Sequence, residues 1–287
     1  MTHTLFRLAQ KIIPNRKIRY YCALLYYKID HILKYKTTDL FIAVEIETNT
    51  SCNRRCSYCP NSIFDRSLIK NAKYMKTKLY KKLINELSDM KFIGRISPHF
   101  FGEPLLDKRL PKLMEYTREK LPDANIVIFT NGDLLSIDTY KKLVKAGVDA
   151  FNITEHGLSM SPNMKNVFNY RKKIDQKYPL INYIDLKKAK YLNNRGGLVI
   201  YESWMKKKAC TSPSENIIID YAGNVILCFN DYLSSIKFGN INNEKLFDIW
   251  KKPEFKKIRR DLKKGIFKLP ICIKCKPYVD YFTIKNM

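Results

Sequence analysis

Three cysteines close together, Cys52, Cys56 and Cys59, form the pattern C-x-x-x-C-x-x-C directly after the strand-like stretch FIAVEIE. Thiolates bind zinc and iron–sulfur clusters, and a closed structural site normally uses four protein ligands. Three ligands leave one position of a cubane 4Fe-4S cluster open, and an open iron can bind a substrate or cosubstrate. The alternative is a zinc knuckle that takes its fourth ligand from elsewhere in the chain.

Four more cysteines lie in the last third of the chain: Cys210, Cys228, Cys272 and Cys275, the last two as C-x-x-C. Four thiolates can ligate a second 4Fe-4S cluster completely, although they also suit a zinc ribbon. The remaining cysteine, Cys22, is predicted to be a buried structural thiol. No signal peptide or membrane-spanning stretch is predicted, so we expect a cytoplasmic protein, where clustered thiols bind metal more often than they form disulfides.

The elements that position the first cysteines alternate between strand-like and helix-like segments. Strands are predicted at residues 41–47, 95–101, 125–130, 149–154 and 181–187, with helices between them at 77–90, 109–121, 136–146 and 165–177. This order predicts parallel βαβ units, in which ligands gather at the C-terminal ends of the strands. The chain between residues 186 and 210 is too short for another helix and strand. The predicted fold is therefore α/β, with an incomplete (β/α) barrel.

Three regions are predicted along the chain. Residues 1–40 form a basic amphipathic arm, for which helices that pack on the body are favoured over a membrane-surface or partner-binding segment. Residues 41–204 form the barrel core. Residues 205–287 form a smaller cysteine-bearing domain, with a hairpin that turns near residues 222–224 and a basic helical stretch that Pro253 kinks.

The first cysteine pattern, with Tyr58 just before its third cysteine, resembles the signature of the radical S-adenosylmethionine (SAM) superfamily. FFGEP resembles the family's Gly-Gly-Glu motif, with Phe101 at the position of the usual first glycine. FTNG and FNITEHG end the third and fourth strands, where the family places polar residues. The resemblance implies SAM bound to the open iron of a three-cysteine cluster, with these residues in contact with it: Tyr58, Gly102, Glu103, Thr130, Asn131, Asn152 and Thr154.

The later cysteines resemble the abbreviated auxiliary-cluster domain, called twitch, of the SPASM group within this superfamily. This implies two 4Fe-4S clusters in total, because a complete SPASM domain would need three further cysteines. The cysteine spacing and shortened barrel are similar to those of the inosamine dehydrogenase type of the butirosin pathway, which oxidises a cyclitol alcohol to a ketone. The resemblance implies hydrogen abstraction by a 5′-deoxyadenosyl radical, with the auxiliary cluster accepting an electron.

Four residues are predicted to act on the substrate: Arg195, Glu155, His156 and Asp231. Arg195 could hold a hydroxyl, phosphate or carboxylate, while Glu155 and His156 could accept the hydroxyl proton. Asp231 follows an auxiliary-cluster ligand, together with Phe229 and Asn230. The plain alternatives are an Arg195–Asp231 ion pair between the domains and a His156 that only caps its strand.

The net charge of +26, from 53 Lys plus Arg against 27 Asp plus Glu, indicates an anionic partner or a coding bias toward lysine. The leading prediction is a radical SAM oxidoreductase that acts on a sugar, a cyclitol or a lipid-linked glycan. A flavodoxin- or ferredoxin-type electron donor and peripheral contact with a membrane surface are expected. Three alternatives stay open: modification of a ribosomal peptide, redox-neutral epimerisation, and a non-enzymatic metal-binding protein on nucleic acid. Nucleic acid is not expected, because aromatic residues do not interleave with the basic ones at 251–264.

Overall fold

A computed structural model describes residues 39–157, 159–174, 179–185, 193–199 and 208–276, together with Cys22, Leu25, Ile29, Ile32 and Leu33. Its centre is one eight-stranded sheet in the order β5-β4-β3-β2-β1-β6-β7-β8. The strands are β1 (Ala43–Ile46), β2 (Arg95–Ser97), β3 (Asn125–Thr130), β4 (Ala150–Glu155), β5 (Leu180–Asp185), β6 (Asn216–Ile219), β7 (Asn224–Ile226) and β8 (Lys237–Asn240).

Strands β1 to β5 are all parallel, which confirms the predicted parallel βαβ units. The intervening helices are α1 (Thr77–Asp89), α2 (Leu110–Lys120), α3 (Ile137–Lys145) and α4 (Pro162–Lys173). Each helix forms because apolar residues recur on one side; in α1 these are Leu79, Leu83 and Leu87, all buried. They pack on strands such as β1, which is buried at every position. The carboxyl ends of the strands therefore meet at one edge, where the cysteine loop begins.

The predicted hairpin is confirmed as β6 and β7, which pair antiparallel and turn at residues 220–224. The sequence did not reveal that β6 also pairs parallel with β1, with Val44 opposite Ile217, or that β8 extends the sheet. The continuous apolar run in β6 fits this position, since a strand covered on both faces has no polar side. One sheet thus carries both cysteine groups. The domain boundaries at residues 40 and 204 stay predictions.

Four helices follow or flank this hairpin: α5 (Ser212–Glu215), α6 (Leu246–Lys251), α7 (Pro253–Lys263) and α8 (Pro270–Lys274). Pro253 does not kink one long helix, as predicted, but starts a new one at its first position. Proline suits that position because its missing N–H would have no intrahelical partner there.

Five described residues before residue 39 contradict two predictions. Cys22 is exposed, so it is not a buried structural thiol. Leu25, Ile29, Ile32 and Leu33 are helical and between 44% and 64% exposed, so these side chains do not pack on the body of the protein. Their spacing puts them on one helix face. No helix in the described ranges is long and apolar enough to cross a membrane.

Candidate active site

The loop with the first three cysteines leaves the carboxyl end of β1 and is fixed by its own backbone. The Cys52 N–H donates to the Ser67 carbonyl at 2.9 Å, and the Cys59 N–H donates to the Cys56 carbonyl at 2.9 Å. Burial raises the pKa of the Cys52 thiol to about 11, and the charges of Glu103, Cys59 and Cys56 add to this effect. This mutual influence places the three thiols close together beside Glu103.

The four later cysteines also converge. Burial raises the pKa of the Cys228 thiol strongly, and Cys275, Cys210 and Cys272 each raise it further. Within the described ranges, no three His, Cys, Asp or Glu side chains meet closely enough for a single metal ion. A cubane cluster does not need such convergence, because each thiolate binds a different iron. The donor sets of three and four thiols therefore fit one open and one fully ligated cluster.

Glu103 is almost fully buried and lies at the centre of a hydrogen-bond network. Its carboxylate accepts from the Thr130 hydroxyl at 2.6 Å, the Asn131 N–H at 2.9 Å and the Leu105 N–H at 3.1 Å. Burial raises its pKa, while these bonds oppose the shift. Thr130 and Asn131 were predicted to contact SAM; the structure shows that they hold Glu103.

Gly102 lies where two loops cross. A Cβ atom at this position would be 2.3 Å from the Asn49 carbonyl oxygen, so the backbone contact requires glycine. Position 101 has no such restriction. The Phe101 ring contacts Phe100 and Tyr232 edge-on, each with centroids 4.7 Å apart. Only the second glycine of the usual Gly-Gly-Glu motif is therefore demanded by this loop.

The end of β4 brings four predicted residues to the same edge of the sheet. Asn152 and Thr154 are half-buried on one face of the strand, and the Asn182 amide donates to Asn152 Oδ1 at 2.6 Å. Glu155 accepts from the Tyr183 hydroxyl. This bond holds Glu155 toward β5.

His156 pairs with Tyr58. The Tyr58 hydroxyl and His156 Nδ1 are 2.6 Å apart, and the two rings stack with centroids 5.8 Å apart. Burial lowers the pKa of His156 to about 4, helped by the nearby positive charge of Arg54. A neutral imidazole can accept a hydrogen bond from the Tyr58 hydroxyl at Nδ1. This environment favours a positioning role for His156 over acceptance of a substrate proton.

Arg195 lies between the two cysteine groups. Its neighbour Asn194 donates to the Lys274 carbonyl at 2.9 Å, which fixes the turn against the helix that carries Cys272. The Arg195 guanidinium is 5.8 Å from the centre of the Phe101 ring. Burial raises the pKa of the Cys59 thiol, and the charge of Arg195 opposes this rise. Its Nε is buried and has no hydrogen-bond partner among the described residues.

Comparisons with known proteins agree with the presence of two cysteine groups on one α/β sheet. The radical SAM superfamily model matches residues 46–186, and the SPASM iron–sulfur cluster-binding domain model matches residues 210–276. The chain is 36% identical to the S-adenosyl-L-methionine-dependent 2-deoxy-scyllo-inosamine dehydrogenase of Niallia circulans, over 79% of this chain and 88% of that protein. The chain belongs to the radical SAM superfamily.

Solved structures support this membership of the radical SAM superfamily. BtrN in complex with AdoMet and 2-DOIA superposes with a TM-score of 0.74 and 35% identity, covering 83% of this chain and 94% of that one. An anSMEcpe structure with bound AdoMet has a TM-score of 0.50 at 15% identity, covering 79% of this chain and 84% of that one, and shows the fold alone. The predicted fold class, the radical SAM enzyme class, the SAM cofactor and the iron–sulfur clusters are thereby confirmed.

Two residues beside the auxiliary cysteines of this radical SAM enzyme differ in their hydrogen bonds: the Asp231 carboxylate is fully bonded within its loop, whereas the Asn230 side chain keeps one acceptor without a partner in the described structure. Asp231 is buried, and its carboxylate accepts from the Ser235 N–H at 2.8 Å, the Ser235 hydroxyl at 2.7 Å and the Ile236 N–H at 2.9 Å. These bonds close its own loop. Asn230 donates to Cys275 Sγ at 3.6 Å, while its Oδ1 is buried without a partner in the described structure.

Sequence reasoning missed three residues that the fold brings to this radical SAM site. Tyr232 packs on Phe101, and its buried hydroxyl has no partner within the described part of the chain. Asn53 and Asp133 join the cysteine loop to the end of β3. Asp133 follows the FTNG segment directly, but only the assembled sheet shows that its partners lie about 80 positions earlier in the sequence.

Proposed function

We propose that this radical SAM enzyme is a dehydrogenase that oxidises an alcohol group of a sugar, a cyclitol or a lipid-linked glycan. The observation that supports this most is the position of Arg195, between three cysteines that leave one iron open and four that can close a second cluster. The similarity to a 2-deoxy-scyllo-inosamine dehydrogenase over most of both chains supports the same class of substrate.

Each cysteine group has a distinct task in this proposal. Cys52, Cys56 and Cys59 hold the cluster that binds SAM, and the other four cysteines hold the auxiliary cluster: Cys210, Cys228, Cys272 and Cys275. Glu103, fixed by Thr130 and Asn131, presents a buried negative charge that suits the methionine ammonium group. When bound, SAM and the two clusters supply the one-electron chemistry for removing a carbon-bound hydrogen and a second electron.

The substrate site lies, in this proposal, between the cysteine groups. Arg195 Nε is a buried donor without a partner in the described ranges, and Asn230 Oδ1 is a matching acceptor. A substrate with several hydroxyl groups could satisfy both, since a hydroxyl donates and accepts. A guanidinium bonded to the reacting hydroxyl also favours loss of its proton, because a nearby positive charge stabilises the alkoxide.

The strained backbone of Arg195 supports this position for substrate binding. Its φ of 52° lies in the left-handed region, which a residue with a side chain rarely adopts. Two positive-φ glycines, Gly196 and Gly197, follow and let the turn pack on Ile271 and Lys274. Such strain is maintained where the surrounding contacts hold a residue for a function.

Reconstitution under anaerobic conditions tests the proposal. Wild type should contain about eight irons, and the Cys52/Cys56/Cys59 triple Ala variant about four. Only wild type should release 5′-deoxyadenosine with dithionite, and with a polyol or aminocyclitol alcohol it should form one ketone per 5′-deoxyadenosine. Arg195→Ala should keep both clusters and lose ketone formation, whereas Arg55→Ala, in the exposed pair with Asp65, should change neither. Zinc in place of iron, or absence of SAM cleavage by fully loaded wild type, would refute the proposal.

Partners are also proposed. A flavodoxin- or ferredoxin-type protein would supply electrons.

Contact with an anionic membrane surface is also proposed. It is supported by the exposed apolar helix face at Leu25, Ile29, Ile32 and Leu33, and by the charge of the first 38 residues, which hold eight Lys or Arg and one Asp. In a sedimentation assay, wild type should pellet with phosphatidylglycerol vesicles, and the double variant Leu25→Glu/Ile29→Glu should stay in the supernatant. Neither protein should pellet with neutral phosphatidylcholine vesicles. Equal binding of both proteins to the anionic vesicles would contradict this contact.

A further inference from the structure

We propose that Asp133 is a positioning residue that fastens the cysteine loop to the Glu103 end of the SAM site. This inference rests on the proposed function, since it names a residue that orders the same site. Asp133 lies just beyond β3 and is not a cluster ligand. It accepts hydrogen bonds from two successive residues of the loop between Cys52 and Cys56.

The first link is a two-bond ion pair. Arg54 Nε and Nη2 donate to Asp133 Oδ2 and Oδ1 at 2.5 and 2.7 Å. Both side chains are largely covered, with 27% and 20% exposed. Two parallel N–H···O bonds fix the orientation of the guanidinium as well as its distance, which a single contact would not do. The backbone on either side of Arg54, and with it Cys52 and Cys56, is therefore held in one orientation.

The second link closes a ring of side chains. Asn53 Nδ2 donates to Asp133 Oδ2 at 2.9 Å, while Asn53 Oδ1 accepts from Asn131 Nδ2 at 2.9 Å. Asn131 Oδ1 in turn accepts from the Asp133 N–H at 2.9 Å. All three residues are thus bonded to each other. A ring of this kind resists displacement more than separate pairs, because moving one member breaks two bonds.

The ring continues directly to Glu103. The Asn131 N–H donates to Glu103 Oε2 at 2.9 Å, so the residue that presents charge to SAM and the loop that holds the open iron share one hydrogen-bond network. Metal ligands and the groups around them are commonly oriented by such outer partners, whose loss weakens binding without removing a ligand. Asp133 holds the distance between these two parts of the site.

The neighbouring arginine supplies a matched control. Arg55 Nη2 reaches Asp65 Oδ1 at 3.4 Å, and the Asp65 side chain is 72% exposed. Both pairs join adjacent loop residues to an aspartate, yet only the first leads to Glu103. A solvated pair of this kind contributes little to stability. Asp65→Asn therefore removes a charge from the same loop without changing the network.

The test compares Asp133→Asn and Asp65→Asn with wild type. Titration of SAM against the reduced cluster, followed by electron paramagnetic resonance, should show an at least tenfold higher Kd for Asp133→Asn and an unchanged Kd for Asp65→Asn. In the cluster-free proteins, amide hydrogen exchange over residues 50–62 should be at least threefold faster for Asp133→Asn only. A wild-type Kd for Asp133→Asn, or a changed melting temperature with unchanged SAM affinity and loop exchange, would overturn the proposal.

A milder variant covers the case in which Asp133→Asn does not fold. Arg54→Lys keeps the positive charge but loses the two-bond fork, so it should raise the Kd for SAM by a smaller factor, about threefold. Wild-type affinity for Arg54→Lys would overturn the inference in that case. A failure of the proposed function is distinguishable, because wild type itself would then not bind or cleave SAM.

Discussion

Gly102→Ala should weaken SAM binding by steric displacement of the Glu103 loop. The new Cβ would be 2.3 Å from the Asn49 carbonyl oxygen, whereas Cβ atoms essentially never approach closer than 3.0 Å. The two backbone segments would therefore separate by at least 0.7 Å, the difference between these distances. Asn49 cannot yield freely, because its side chain donates to the Glu103 carbonyl at 3.1 Å and accepts from the Ser51 N–H at 2.9 Å.

The expected size of the effect follows from the cost of overpacking. Forcing an extra methyl group into a packed site costs about 1–3 kcal/mol. If the loop moves to relieve this strain, Glu103 moves with it. Restoring the geometry that binds SAM then costs the same free energy, which is lost from the free energy of SAM binding. The Kd for SAM should then rise between about 5-fold and 150-fold. The iron content should stay at the wild-type value, because no thiol is altered.

Gly157→Ala is the matched control for this change. Gly157 follows β4 at the same edge of the sheet, but a Cβ there would have its nearest neighbours at 3.4 Å, an ordinary contact. Calorimetric titration of SAM into both reconstituted variants would separate the two cases. Equal affinity of Gly102→Ala and Gly157→Ala would refute the steric argument and leave the glycine without a structural reason.

Three further outcomes are expected. Glu103→Gln should raise the Kd for SAM at least tenfold by equilibrium binding with unchanged iron, because the amide lacks the charge that the ammonium group needs. Burial lowers the pKa of His156 from its ordinary value of 6.5 to about 4, so its contribution to stability is present above pH 6.5 and is lost as the pH falls toward 4; urea unfolding should show wild type losing about 2 kcal/mol relative to His156→Gln between pH 7.5 and 5. Arg259→Ala should lower the free energy of unfolding by about 1–3 kcal/mol, because Arg259 is 2% exposed and its removal leaves the buried Trp250 carbonyl without this donor, while exposed Arg260→Ala should change it by less than about 0.5 kcal/mol in the same assay.

Local signals in the sequence were sufficient for the βαβ order and the cysteine groups. Strand periodicity placed β1, and the spacing of Cys52, Cys56 and Cys59 needed no knowledge of distant residues. The pairing of β6 with β1 was not predictable in this way, because the apolar residues of β6 would fit any buried position in a sheet and do not indicate which strand lies beside them. Cys22 shows the opposite error: free cysteines are usually buried, which suggested a buried thiol, but whether a given side chain is covered depends on the rest of the molecule.

For the site residues as well, local patterns identified the residues, but not the contacts between distant parts of the chain. Glu103, Thr130 and Asn131 were found because FFGEP and FTNG resemble family motifs that follow strands at the edge where ligands gather. Their mutual bonds were not predicted, since the hydrogen bonds that the Thr130 hydroxyl and the Asn131 N–H donate to Glu103, 27 and 28 positions away, depend on the parallel pairing of β2 and β3. The predicted proton acceptors stay predictions, and the bonds of His156 and Asp231 favour positioning for both.

Phe101 links the Glu103 loop to the proposed substrate side of the site. Because Gly102 alone satisfies the close approach to Asn49, position 101 can carry a ring without altering the Glu103 loop. That ring fills the space between the Arg195 guanidinium and Tyr232. A flat apolar surface beneath a guanidinium leaves its N–H groups directed outward in the ring plane, where hydroxyl oxygens can reach them. The departure from the Gly-Gly-Glu pattern is therefore best explained as a change on the substrate side, made at a position that the SAM side leaves unconstrained.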